Sequence, residues 1–515
     1  MLRIGYYILA FLGSVFFPVQ PTIHDSTLSA LENSTYPSHH FPLSFVYGDK
    51  TNTTRARLGS NRPITVPRPA GVTAIVLNWS RLDNVVRIAS LLCDESLQDI
   101  IAEVFIWNNS PQELNYETFA NIGCPKAKLR LYNSPRNLYF YARFLACTQA
   151  RTPFCFVQDD DYLVLPQIVR SLEYRITNSP QTVLHLLPAH EHLSSRLRTV
   201  TTSSGVHTGF AWLGHGTMLS KKRALDFVSL LRFLDMPQDE VQMADNYFTI
   251  LGNQIPEIWF DHGIELGGGQ PFTIGQEGHE RNQRHIKKAC AYLDRLVSAM
   301  HGISQPTTLE VHPFVEVTTG IAQWSINRTP CLASLCLLET NVHLLDDEPP
   351  RGHIAADLMT FEEQYFRTNP ETLFTYTRYS LSRAVDGIPA TEFRSPSSAR
   401  RGEYVMLDIL SAVVPWDAEV ELVFLIPWTS EEILRNSDFQ SSVDGEDWIS
   451  SRSPLICRST SASNVVTLGY QSDYLVECNV QMAEGNARLF KATLELDASV
   501  AWAISEVWLR TPSLT

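Results

Sequence analysis

Between residues 72 and 188 the chain alternates short apolar runs with amphipathic stretches of helical period. "VTAIVLNW" (72–79) has strand length, and "LDNVVRIASLLCDES" after it carries apolar residues at helical spacing. The pattern recurs: "IAEVFIWNN" and "KAKLRLYNS" read as strands and "LYFYARFLACTQA" as a helix. "PFCFVQDD" then reads as a strand, "LPQIVRSLEYRITNS" as a helix and "TVLHLLPA" as a strand. Such alternation predicts an α/β domain, over 71–304, with a mostly parallel sheet. Ligands of such sheets bind beyond the carboxyl ends of the strands. From about residue 370 the texture changes to strand-like stretches separated by turn residues ("YVMLDIL", "AEVELVFLI", "YLVECNV", "RLFKATLEL", "AISEVWLR"). That predicts an all-β sandwich over 370–515. Residues 305–369, with "LLDDEPPRG", read as a connector, so the sandwich is expected to be an independently folded unit.

The N-terminus differs from both. After Arg3 an apolar run extends from Ile4 to Val19, which reads over residues 1–20 as a signal anchor or a signal peptide. No small-x-small cleavage site follows closely, which favours the anchor and a type II protein of the Golgi or ER membrane; cleavage would make the chain secreted. Either segment delivers the remainder to the secretory lumen. Residues 21–70, rich in Ser, Thr, Pro and Asn without period, read as a luminal stem. Asn33, Asn52 and Asn327 begin sequons that suit glycosylation, and Asn78 and Asn108 also fit the pattern at strand ends where burial competes.

Composition removes several function classes. The 515 residues allow two or three domains, and 44% hydrophobic with 19% charged residues excludes a mainly disordered chain. A net charge of −14 excludes nucleic acid and anionic membrane surfaces as partners of a basic face. Nine cysteines in an oxidising lumen imply disulfides and at least one unpaired thiol in a monomer. Cys331 with Cys336, and Cys457 with Cys478, are the pairs the segments suggest. No CxxC spacing supports a structural zinc site.

The candidate chemistry sits in "TPFCFVQDDDYLVLP" (152–166), where an apolar strand ends in Asp159, Asp160 and Asp161. Three adjacent carboxylates repel one another. They suit a polar turn capping the next helix, or a hard divalent cation such as Mn²⁺ or Mg²⁺ completed by substrate phosphates. A D-x-D at such a strand end marks GT-A nucleotide-sugar transferases.

Four further segments sharpen that reading. "LNWSRLD" (77–83) follows the first strand and "IWNN" (106–109) the second; Arg143 precedes Asp159 by sixteen residues, and "MADNYF" (243–248) comes later. In this order, over residues 70–300, the set resembles the exostosin-like glycosyltransferases, the α-N-acetylhexosaminyltransferase domains of the heparan sulfate machinery. The resemblance implies a GT-A fold, a nucleotide sugar as donor and a glycan or glycoconjugate as acceptor. It implies Trp79 stacking on the base, Arg81 pairing with the diphosphate, and Asn108, Asn109, Asn137 and Arg143 reaching the nucleotide. Asp159 and Asp160 join the nucleotide site, with Asp161 the direct metal ligand beside Asp159 and His279. Asp245, at the opening of a predicted helix, is the candidate catalytic acid, acting electrostatically. The family's Cys-Asp-Asp run is here Met243-Ala244-Asp245, so one acid and one cysteine are missing and Cys290 lacks the family's partner.

"GGGQPFTIGQEGHERNQRHIKKAC" (267–290) reads as a glycine-rich lid entering a basic helix. His279, Arg281, Arg284, His285 and Lys287 make it the candidate phosphate clamp. The family's arginine falls on Lys287, replacing a bidentate fork by a point charge that Arg284 is placed to supplement.

At the other end, "SLSRAVDGIPATEFRSP" (380–396), "GEYVMLDI", "DFQSSVDGEDW" and "AISEVWLR" resemble a discoidin-type, coagulation-factor C-domain sandwich. Its Asp386-Gly387 and Asp444-Gly445 pairs suit tight turns. The whole reads as a metal-dependent retaining transferase moving an N-acetylhexosamine from a UDP-sugar. The rivals are a GDP-mannose-dependent mannosyltransferase and an inactive glycan-binding scaffold; a glycoside hydrolase would need a facing carboxylate pair that no segment suggests.

Overall fold

The computed structural model describes residues 69–510 apart from 121, 181, 189–198, 202–206, 254–255, 262–263, 268–275, 302–313, 316–325, 333–334, 345–367, 369, 411–418, 460–473 and 484–485. The expected anchor and stem, with Asn33 and Asn52, lie outside the described residues, as do Gly268, Gly269 and most of 305–369. No helix among the described residues is long and apolar enough to cross a membrane.

The first domain contains strands β1 (Val72–Asn78), β2 (Ile101–Asn108), β3 (Leu129–Asn133), β4 (Phe154–Gln158), β5 (Tyr162–Leu163), β6 (Leu184–Pro188), β7 (Thr199–Thr201), β8 (His207–Gly209), β9 (Thr217–Ser220), β10 (Glu257–Asp261) and β11 (Ile264–Glu265). Its helices are α1 (Leu82–Cys93), α2 (Tyr141–Thr148), α3 (Pro166–Asn178), α4 (Lys221–Phe233), α5 (Gln238–Gln242), α6 (Asp245–Gly252) and α7 (Gln276–His301). Seven strands form one sheet in the order β10-β6-β9-β4-β1-β2-β3. All its pairings are parallel except those of β9, which runs antiparallel to β4 and β6.

The period-two alternation of each strand divides the core. Ala74, Val76, Val104 and Ile106 pack under α1 and α3, whereas Ile75, Phe105 and Trp107 face α2, α4, α6 and α7. Local chemistry starts the helices: Pro166 opens α3, and the Ser220 hydroxyl accepts from the Arg223 amide at the head of α4. The α/β class is as expected.

The all-β sandwich is also present. A six-stranded sheet runs in order through β12 (Asn327–Pro330), β13 (Leu337–Thr340), Tyr404–Asp408, Leu489–Leu494, Ser437–Ser442 and Ile449–Ser450. It faces a four-stranded sheet of Ile456–Ser459, Leu475–Gln481, Glu421–Pro427 and Glu506–Arg510 over a core that includes Phe393, Phe424, Phe490 and Trp502.

Two expectations are corrected here. The segment read as a connector supplies β12 and β13, full members of the sandwich sheet. The sandwich is also not independent of the first domain. Leu335, Leu337 and Leu410 share a continuous core with Trp259, Leu186 and Ile264, and the Thr329 hydroxyl donates to the Phe260 carbonyl. Phe314 packs against the Phe227–Phe248 pair, with ring centroids 5.0 and 5.3 Å away. Apolar segments that cannot be buried within the sandwich find their partners across the junction, which composition alone does not show.

All nine cysteines are described. Cys331–Cys336 and Cys457–Cys478 are bonded as expected, and Cys93–Cys124 and Cys147–Cys155 are bonded as well. Cys290 is the free thiol; burial pushes it up to about 12. The Asn327 sequon is corrected: its side chain is buried and donates to the Val342 carbonyl, so it offers no acceptor for a glycan.

Candidate functional site

The three aspartates lie where β4 ends, in the middle of the sheet. The turn is fixed by its backbone before any side chain acts. The Asp159 amide donates to Gly214 O at 2.7 Å, and the Leu266 amide donates to Asp161 O at 2.8 Å. Asn84, at the start of α1, donates from one amide nitrogen to Asp160 O and to Gly267 O, both at 2.9 Å.

Two arginines enter from opposite sides. Arg81, just before α1, reaches Asp160 Oδ1 at 2.8 Å and Asp161 Oδ2 at 3.4 Å. Arg143, on α2, has no exposed side-chain surface; it donates to Asp159 Oδ1 and to Asp245 Oδ2, each at 2.6 Å. The sixteen-residue spacing from Arg143 to Asp159 therefore brings the two into direct contact. Four carboxylates thus face two guanidiniums among the described residues, an excess of two acidic groups.

The titration behaviour follows from this imbalance. Burial, then the charge of Asp159, raises Asp161 to about 6 against the pull of Arg81. The same two causes raise Asp160. Burial raises Asp245 to about 7 against Arg143. The residues fit a hard divalent cation shared with a ligand's phosphates. Asp161 retains 35% of its side-chain surface and touches a cation only at the edge of bonding distance. Among the described residues no three His, Cys, Asp or Glu side chains are spaced to enclose an ion by themselves.

The other expected site residues divide by exposure. Trp79, directly after β1, is 52% exposed, so it is not a core aromatic. Asn108 is corrected: it is buried and occupied by Asn78, Asn133 and the Gln112 carbonyl, and so ties the strand ends together. Asn109 is likewise buried, accepting from Trp107 Nε1 and the Leu138 amide. Asn137 caps the turn at Tyr139, which has φ of +50°. Arg143 and Asp245 are also corrected: both are buried behind Asp159, and they act on the turn by holding that carboxylate. Asp245 opens α6 as expected.

On α7, Arg284 and Lys287 are exposed, and no described contact joins either to the aspartates. The side chain of His279 lies outside the described residues. His285 is corrected as a member of a positive clamp. It is buried on Tyr247 Oη at 2.9 Å, and burial with the neighbouring cations lowers it to about 4, leaving it neutral.

Gly214 was not anticipated. A Cβ there would lie 2.2 Å from Asp159 Oδ2, and that carboxylate is not free to swing because Arg143 grips its other oxygen. Gly214→Ala is therefore expected to lower the melting temperature by several degrees and to disturb the aspartate turn. Calorimetry checks this; an unchanged melting temperature would show that the turn accommodates a methyl group.

No family model matches the chain, and no curated protein matches it. Among solved structures, a mannosyltransferase from Pyrobaculum calidifontis in complex with GDP-Man and Mn²⁺ is 14% identical, covers 55% of this chain and 88% of its own, and gives a TM-score of 0.30. GalNAc-T7 with UDP, GalNAc and Mn²⁺ is 11% identical over 31% of this chain and 37% of its own, at 0.24. A CBM32 module of a family 31 glycoside hydrolase from Clostridium perfringens is 19% identical over 26% of this chain and 88% of its own, at 0.19.

Proposed function

We propose that this chain is a metal-dependent glycosyltransferase of the GT-A type. It takes an N-acetylhexosamine from a UDP-sugar and passes it, with retention, to a glycan or glycoconjugate in the secretory lumen. The aspartate turn carries the reading: with Asp245 behind it, the strand end gathers four carboxylates against two arginines, with Asp161 open to a ligand. Asp161 and Asp159 are the residues to hold Mn²⁺ or Mg²⁺. A bound cation would neutralise the diphosphate leaving group as a Lewis acid. Arg143 and Asp245 keep Asp159 aimed, and Arg81, held by Asp160, would pair with the phosphates. Arg284 and Lys287 would supply exposed cationic side chains from α7 when a donor binds.

A thermal-shift screen of the full chain with UDP, GDP and their sugars, with and without Mn²⁺, tests this reading. UDP is expected to stabilise only when Mn²⁺ is present. Stabilisation by GDP alone would replace the donor and favour the mannosyltransferase; stabilisation by no nucleotide would leave a glycan-binding scaffold.

Trp79 gives a separate check. Half its surface is open beside the turn, and stacking a base on an aromatic face is worth about 1–3 kcal/mol. Nucleotide binding should quench tryptophan fluorescence, and Trp79→Ala should weaken UDP binding about 5- to 150-fold. Equal affinity in the variant would remove Trp79 from the site.

A further inference from the structure

His215 lies beside the aspartate turn, and none of the motifs in the sequence singles it out. It follows Gly214, whose carbonyl accepts from the Asp159 amide and whose Cα lies against the Asp159 carboxylate. The imidazole is almost entirely enclosed. Its Nε2 donates to Asp261 Oδ1 at 2.6 Å, and Asp261 is equally buried at the end of β10. The ring also meets Tyr162 edge to face, with centroids 4.2 Å apart. Tyr162 is the residue after Asp161. It opens β5, which pairs with β11, and the next residue of that ribbon, Leu266, donates to Asp161 O.

We propose that His215, oriented by Asp261, is a positioning residue for the Asp159–Asp161 turn: its ring sets Tyr162, and Tyr162 sets Asp161. Three observations support the assignment. The contact chain Asp261–His215–Tyr162 ends at the residue covalently joined to Asp161. The other ring nitrogen, Nδ1, is buried without a hydrogen-bond partner among the described residues. Leaving a buried polar atom unmet is destabilising, so a leucine or phenylalanine would fill this space more favourably for stability alone. A histidine with one nitrogen fixed on a carboxylate keeps a single ring orientation, which an apolar side chain would not guarantee. Finally, β10 is itself held from outside, because the Thr329 hydroxyl of β12 donates to the carbonyl of Phe260, the neighbour of Asp261.

For the metal and its ligand, this inference rests on the function proposed above; for the order of the turn, it does not. Hydrogen exchange on the full chain without metal or nucleotide reads the turn directly, through peptides covering 159–165. Electron paramagnetic resonance of added Mn²⁺ reads the metal. His215→Gln and Asp261→Ala are expected to raise exchange in 159–165 about tenfold and to weaken Mn²⁺ binding by about the same factor. Asp261→Asn should stay near wild type on both readouts, since its carbonyl oxygen still accepts from Nε2. His185→Ala serves as the control. His185 is fully buried on β6, bonded to Trp212 O and Thr217, so its loss should lower stability without raising exchange in 159–165.

The proposal is overturned if His215→Gln and Asp261→Ala leave 159–165 exchanging as in wild type, or no faster than His185→Ala does. It is equally overturned if exchange rises while Mn²⁺ binds with wild-type affinity. If wild type binds no Mn²⁺, the metal-dependent function fails, and the exchange arm alone decides whether His215 orders the turn.

Discussion

A chain ending at residue 304 is expected not to fold, although the texture of the sequence places a domain boundary there. Three groups of core contacts are lost by that cut. Phe314 leaves the cluster of Phe227 and Phe248, and the guanidinium of Arg223 loses the ring 4.7 Å from it. Leu335 and Leu337 leave the core around Trp259. β12 leaves the outer side of β10, where Thr329 satisfied the Phe260 carbonyl. Emptying one buried phenylalanine position costs about 3–5 kcal/mol, and each leucine about 2–5 kcal/mol. Their sum reaches the whole stability of an ordinary domain, about 5–15 kcal/mol. Far-UV circular dichroism with urea titration checks the expectation, the full chain being the reference. A cooperative transition in the shortened chain, with donor hydrolysis kept, would show instead that the sandwich is an independently folded unit.

The same junction shows what a sequence can and cannot convey. Strands β1, β2, β3, β4 and β6 were legible because buried parallel strands are short, continuous apolar runs between helical repeats. The antiparallel β9 was not. "TMLS" has four residues, and the helix after it, "KKRALDFVSLLRF", was not singled out either. The aspartate turn was legible because like charges ending an apolar strand are anomalous in themselves.

Its supports were not legible in the same way. Arg143 was read as a nucleotide contact through the family resemblance; only the fold shows it enclosed between Asp159 and Asp245. His215 and Asp261 are forty-six residues apart and form no local pattern. Gly214 matters through a backbone approach to a side chain, which leaves no mark in composition or period. Cys93–Cys124 closes a helix end onto the loop before β3, a proximity that depends on strand order.

Asp161→Ala is expected to abolish Mn²⁺-dependent nucleotide binding while the protein remains folded. Asp161 is the carboxylate of the turn with the weakest protein partner, Arg81 at 3.4 Å, and it stands among other negative charges. Its removal relieves repulsion and empties no core. Asp159→Ala is a useful contrast. It takes one of two carboxylates from a wholly buried guanidinium, and breaking a buried pair costs about 3–5 kcal/mol. That variant should lose both melting temperature and binding, whereas Asp161→Ala should lose binding alone.

The pH dependence separates the two further. Asp161 is raised from 3.8 to about 6 by burial and by Asp159. A carboxyl raised on folding favours the native state below its unfolded value, and that contribution is lost as pH climbs through about 6. Metal-free wild type should therefore lose stability over that interval, and Asp161→Ala should flatten this part of the profile. Mn²⁺ competes with the same proton, so its apparent affinity should fall by up to about tenfold per pH unit below about 6 and level off above it. Thermal unfolding of the metal-free protein across the same interval checks the first, and calorimetric titration of Mn²⁺ in the presence of UDP from pH 5 to 8 checks the second, with ~pH 6 as the expected break. Undiminished UDP binding by Asp161→Ala, or a Mn²⁺ affinity indifferent to pH across that break, would remove the cation from the aspartate turn.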